Sequence, residues 1–225
     1  MSRERENPNR ATRPSRVLDS IEQHPLWPHL VPSRPYLVPE VALVLLPSSS
    51  QAWQWTEPEA LGWPYWAFAW AGGQALARYL LEHPERVKGR RVLSFGAGGG
   101  LEAIASARAG ATTVLCADLD PLACEMAHRN AALNHLQVHC TTDNLLGRDV
   151  DADVLLVGDT CYEEALAAQV LTWLEEQALR GLDVLVGDPG RVALAAWPTP
   201  VATYLAPADG EPEGGLCWPT SVFEV

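Results

Sequence analysis

Val92-Leu-Ser-Phe-Gly-Ala-Gly-Gly-Gly-Leu101 is the stretch on which the fold turns. Its first half reads as a short apolar strand, its second as a glycine loop, and helical periodicity follows. The glycines stand as Gly96-x-Gly98-x-Gly100. Such residues permit a tight turn and let a ligand approach the backbone closely near a helix N-terminus. The next strand signal ends at Ala117-Asp-Leu-Asp-Pro121, which puts Asp118 18 residues past Gly100. A carboxylate at that strand end can accept hydrogen bonds from both hydroxyls of a ribose.

Strand and helix signals alternate outward from this unit. A helix is expected over Gln74 to Glu82, stopping before Pro84. Strands are expected at Arg91 to Phe95, Thr113 to Ala117, Gln137 to Cys140, Asp153 to Val157 and Leu182 to Val186. Helices are expected at Leu101 to Ala109, Leu122 to Leu133 and Glu163 to Leu179. Val201 to Leu205 and Leu216 to Phe223 suit an antiparallel hairpin, with Gly210, Gly214 and Gly215 between them. The fold class is therefore α/β, a Rossmann-like, mostly parallel sheet with helices on both faces and a terminal antiparallel hairpin. Residues 1–17 read as a solvated, disordered tail. Residues 18–70, rich in Pro and Trp around the strand-like run Val41 to Leu46, read as a small N-terminal cap of strands and loops. Residues 71–225 form the main domain.

The spacing G-x-G-x-G is the pattern of enzymes that bind S-adenosyl-L-methionine. Gly96, Gly98 and Gly99 also stand close to a dinucleotide spacing, but no second domain is present to carry hydride chemistry. A methyl donor is the expectation. Gly96, Gly98, Gly100 and Asp118 are its candidate contacts. Asp120 is another, or else it caps the helix after Pro121. Asp143 stands where an adenine amino group would be read, or is an ordinary turn aspartate. Gln74 is a candidate at the donor's amino-acid end, and Trp70 a candidate to hold its adenine or sulfonium.

Charge and cysteines narrow the partners. The net charge is −12, and five arginines fall within the first sixteen residues. The remainder carries 11 bases against 26 acids, a net of −15. A body this acidic repels phosphate backbones, so no nucleic-acid partner is expected, and a basic peptide segment suits it better. No apolar run is long enough for a membrane helix and no apolar signal region opens the chain, so neither membrane nor secretion is expected. Five cysteines without a CxxC pair give no zinc spacing and no disulfide framework. Buried thiols in a reducing compartment, the cytoplasm, follow. No metal is implied.

Pro64 to Leu81 (PYWAFAWAGGQALARYLL), the glycine loop, Gly158-Asp-Thr-Cys-Tyr162 and Val186-Gly-Asp-Pro-Gly-Arg191 together resemble a known family. It is that of the lysine methyltransferases of the electron-transfer flavoprotein β subunit. These belong to the class I, seven-stranded protein methyltransferases, near the ribosomal protein L11 methyltransferase group. The similarity spans roughly Tyr36 to Val225. It implies a seven-stranded sheet, S-adenosyl-L-methionine as cofactor, and transfer of a methyl group to a protein lysine on that β subunit. It also implies an acidic-x-x-aromatic motif at the substrate lysine, here Asp159 and Tyr162. A carboxylate can bind the ammonium and orient the amine as it deprotonates, and a tyrosine supplies a wall and a hydrogen bond. Asp159 capping the following helix is compatible with that role. Trp63, Tyr65, Trp66 and Trp70 can line a lysine channel or pack as a lid. Two alternatives stay open: a methyltransferase for another protein or a small amine, and a donor-binding module with little turnover. Ser94 supports the second, because the family's first motif usually begins with an acidic residue that helps position the donor's ammonium.

Overall fold

The computed structural model describes residues 18–47, 52, 62–162, 164–191, 197, 199–207 and 217–225. The expected tail over 1–17 and the hairpin glycines 210, 214 and 215 lie outside them. Nine strands and four α-helices are described: β1 Val31–Ser33, β2 Leu43–Leu45, α1 Ala71–Glu82, β3 Arg91–Phe95, α2 Leu101–Arg108, β4 Thr113–Ala117 and α3 Pro121–Leu133, then β5 His139–Thr141, β6 Val154–Gly158, α4 Glu164–Leu179, β7 Asp183–Asp188, β8 Ala202–Pro207 and β9 Cys217–Glu224.

Seven strands form one sheet in the order β5-β4-β3-β6-β7-β9-β8. The first five are parallel, and β9 runs antiparallel between β7 and β8. The order reverses between β3 and β6. A reversal of this kind opens a crevice at the carboxyl ends of the strands, because the following connections leave toward opposite faces. Alternation along the strands sorts two cores. Val92, Val154 and Leu156 face α1, α2 and α3, whereas Leu93, Leu155 and Val157 face α4. β6 is buried on both faces up to its last residue, as a central parallel strand must be.

A small antiparallel pair, β1 and β2, packs outside the sheet. A third apolar cluster (Ile21, Leu26, Leu46, Trp66, Phe68, Met126) binds this cap to α3. Two asparagines one turn apart on α3 complete the attachment. Asn134 accepts from the Ala42 N–H and donates to the Ala42 carbonyl. Asn130 accepts from Val44 and donates to the Gly99 carbonyl, which ties the cap to the glycine loop.

Most boundaries fall within two residues of the expectation; α1 does not. It begins at Ala71, three residues earlier than periodicity suggests, so Gly72 and Gly73 lie in its first turn. Glycine disfavours helix and hides the start from a pattern reading. Packing requires it there. A β-carbon on Gly72 would lie 2.2 Å from the Gly187 carbonyl oxygen on β7.

Candidate active site at the carboxyl edge of the sheet

Gly96, Gly98 and Gly100 all hold positive φ, at 65°, 49° and 84°. Each lies in the left-handed region that a side chain disfavours. Gly100 is the N-cap of α2, so the loop delivers its backbone straight into the helix. The loop is held from the neighbouring strand end. Asp118 accepts from the Gly98 N–H at 2.9 Å and from the Asp120 N–H at 3.0 Å. Burial raises the Asp118 carboxyl above the usual range, and these backbone donors oppose the rise.

Asp159 follows β6 and also has positive φ, 57°. Its carboxylate is committed on both sides. One oxygen accepts from the Gly73 N–H in the first turn of α1 at 2.9 Å, the other from the Arg191 guanidinium at 3.0 Å. Burial raises this group too, against the pull of Arg191 and Gly73. Arg191 arrives through the turn after β7, where the buried Asp188 accepts from the N–H groups of Gly190 and Arg191 and from the same guanidinium.

Between these strand ends lies a cleft whose lining includes Phe68, Trp70, Gly73, Gly98, Glu102 and Asp159. Glu102, the second residue of α2, is 6% exposed. No ion pair reaches it among the described residues, and burial lifts its carboxyl to about 7, with Asp159 adding to the rise. At the rim, Tyr162 stacks on Tyr65 with centroids 5.4 Å apart and planes inclined at 26°. Both rings are about half exposed. Trp70 tilts against Tyr65 and donates its indole N–H to the Tyr65 carbonyl.

Residues 75–158 match the family of ribosomal protein L11 methyltransferase (PrmA). The electron transfer flavoprotein beta subunit lysine methyltransferase of Xenopus laevis is 36% identical over 207 residues, covering 88% of this chain and 84% of the relative. The chain belongs to the electron transfer flavoprotein beta subunit lysine methyltransferase family. The Danio rerio member is 44% identical over 163 residues, 69% of this chain and 62% of its own length. The chain thus spans less than two thirds of that relative. Among solved structures, the Pyrococcus abyssi tRNA (uracil-54, C5)-methyltransferase in complex with S-adenosyl-L-homocysteine superposes with a TM-score of 0.53 at 15% identity. It covers 87% of this chain and 44% of the other, and speaks for the fold alone.

Seen as a member of this family, the chain brings some of its sequence-predicted residues to one place. Gly96, Gly98, Trp70 and Asp159 line the cleft, Gly100 and Asp118 brace its loop, and Tyr162 stands at the rim. Three others are placed differently. Asp120 caps α3 by accepting from the Leu122 N–H at 2.9 Å. Asp143 is exposed beyond β5, and the cleft lining does not include it. Gln74 is the clearest correction. Its amide accepts from the Leu37 N–H and donates to the Ala69 carbonyl, so it stitches the cap to α1 and is 1% exposed. Pattern reading passes over Glu102, which looks like a first-turn acid complementing the helix dipole. An acid directly after a glycine loop and within an otherwise apolar helix start is the signal for it. Arg191 is quoted in a motif, yet its partner Asp159 lies 32 residues away and only folding pairs them.

Proposed function

We propose that this chain transfers a methyl group from S-adenosyl-L-methionine to the side-chain amine of a lysine on the electron-transfer flavoprotein β subunit. The observation that carries the reading is the cleft, where a left-handed glycine loop braced by Asp118 meets Asp159 at the end of β6 in a chain of this family.

The residues present fit the donor. Gly98 and Gly99 offer bare backbone to the cleft, and Phe68, Trp70 and Leu101 supply apolar surface. Asp118 spends one oxygen on the Gly98 N–H of the loop and the other on the Asp120 N–H of its own turn, and a carboxylate has about four acceptor positions, so ribose hydroxyls can still be taken. When bound, the donor supplies an electrophilic methyl on a sulfonium centre.

The chain's own part is to bring in an amine and strip it of water and a proton. The stacked faces of Tyr65 and Tyr162 attract an ammonium and lie along its aliphatic stem. Beyond them Phe68, Trp70 and Leu101 supply apolar wall, where desolvation favours the neutral, nucleophilic amine, its proton passing to solvent. Asp159 aims that amine: it is anchored by α1 and Arg191, so it adds negative potential on the cleft wall without swinging free. The acidic body favours a basic segment around the target lysine, and a nucleic-acid partner is outside this reading. Five cysteines without a CxxC pair suit a reducing compartment, in this reading the cytoplasm.

Purified protein incubated with isotope-labelled donor and the flavoprotein, followed by mass-spectrometric mapping, tests the proposal. Label on a β-subunit lysine is expected. Label taken only by other proteins or by small amines overturns the substrate assignment. Donor binding with no product on any substrate overturns the enzymatic one.

A further inference from the structure

We propose that Glu102 is the anionic anchor for the α-ammonium group of the donor, an assignment that rests on the cleft being the donor site. Two neighbouring elements are shaped around its carboxylate. One oxygen lies 3.0 Å from where a β-carbon on Gly73 of α1 would stand, and 2.3 Å from the same point on Gly158 of β6. Any side chain at Gly158 would expel it. The space left by two glycines is thus occupied by a charged group that also borders the cleft.

Among the described residues no cation answers that charge. Among the described residues the only donor to Glu102 is its own backbone N–H. The elements nearest its carboxylate supply no free cation among the described residues. The first turn of α1 carries no charge. β3 offers Ser94, buried and on the same face as Val92. The loop after β6 offers Asp159, a like charge, whose Arg191 is already shared between Asp159 and Asp188. Asp118, at the end of β4, is another acid and is bound to the glycine loop. Burying an unpaired carboxylate destabilises a fold, so a group kept in this state serves a ligand. The ligand must carry a cation to this depth, beside Gly73 and behind the aromatic rim.

Two ammonium groups come into question, that of the donor and that of the target lysine. The place of Glu102 favours the donor, because it borders the cleft together with Gly96, Gly98 and Gly99 of the glycine loop, whereas Tyr65 and Tyr162, the expected lysine wall, are not part of that lining. The carboxyl's rise to about 7 adds a signature. In the free protein at pH 6 it is mostly protonated, and pairing with an ammonium drives the proton off.

Isothermal titration with S-adenosyl-L-homocysteine, which has the ammonium and lacks the sulfonium, tests this in buffers of different ionisation heat. A desamino analogue serves as the second probe. For the wild-type protein, release of a proton near pH 6 and tighter binding at pH 8 are expected with the first probe alone. Glu102→Gln is expected to weaken that probe about 10- to 100-fold, the loss of one charge-assisted hydrogen bond. It should abolish proton release and leave the analogue within about twofold. Glu102→Asp should keep the proton release. Equal weakening of both probes by Glu102→Gln, or none for either, overturns the assignment. If the wild-type protein binds neither compound, the donor reading of the cleft falls and takes Glu102 with it.

Discussion

The two edges of the sheet use the same residue types to opposite ends. At the amino edge Arg90 pairs with Asp183 and donates to the Asp153 carbonyl, while Arg91 grips Asp151 and Asp153. These pairs clip β3, β6 and β7 together where they begin. They are open to water, and Arg91 holds the Asp153 carboxyl down at about 2. At the carboxyl edge Asp118, Asp159 and Glu102 are all pushed upward, with burial the leading cause in each. An arginine that meets an acid in solvent stabilises it, whereas an acid withdrawn from solvent must be answered by the fold or by a ligand. Size alone would mislead here. The hollow beside the amino edge measures about 440 Å³ against about 40 Å³ for the cleft, yet its acids, Asp149 and Asp151, are exposed.

The largest expected effect tests whether Asp159 works for catalysis as well as for α1. Asp159→Asn keeps an acceptor for the Gly73 N–H and removes the charge. Methyl transfer is expected to fall by about 100-fold or more, the size typical of a lost acid–base or steering group, with donor affinity changed only a few-fold. Single-turnover labelling beside a titration with S-adenosyl-L-homocysteine separates the two. Unchanged transfer would return Asp159 to the same structural class as Asp153.

Next comes the stability of the free protein. Glu102 has a folded value near 7 against about 4.5 unfolded, so the unfolded chain ionises first and stability falls as pH rises between those values. Glu102→Gln removes the fall and should stabilise the apoprotein by roughly 2–3 kcal/mol at pH 8, with little gain at pH 4. Urea titrations at the two pH values measure it. A smaller effect is expected for Asp118→Asn, about tenfold weaker donor binding, because one of its two backbone hydrogen bonds and its charge are lost. Calorimetry reads this directly. Smallest of all is Asp153→Asn at the opposite edge. It should lower the melting temperature slightly at low salt and hardly at all at high salt, since exposed pairs are screened. A large, salt-independent loss there would break the contrast between the edges.

The alternation of strand and helix was legible because parallel strands buried on both faces read as short apolar runs, such as Val154-Leu-Leu-Val157. The glycine loop was legible because positive φ at Gly96, Gly98 and Gly100 leaves little choice of residue. Gln74 was misplaced for the opposite reason. A polar residue at a helix start beside two glycines suits a ligand contact equally well, and only the arrival of Leu37 and Ala69 takes up its amide. Helix α1 begins earlier than expected because its N-terminal acceptor is supplied by Asp159, 86 residues further along the chain.

By itself, the order of residues determined the layered parallel sheet, the loop that opens α2 and the acids that end β4 and β6, since each depends on local backbone preference and on periodicity. Tertiary structure alone decided which of those acids are answered. Arg191 reaches Asp159, Gly98 reaches Asp118, and among the described residues no cation reaches Glu102. Charge compensation in a buried site depends on distance through space and on exclusion of water, and neither is written in the spacing of residues along a chain.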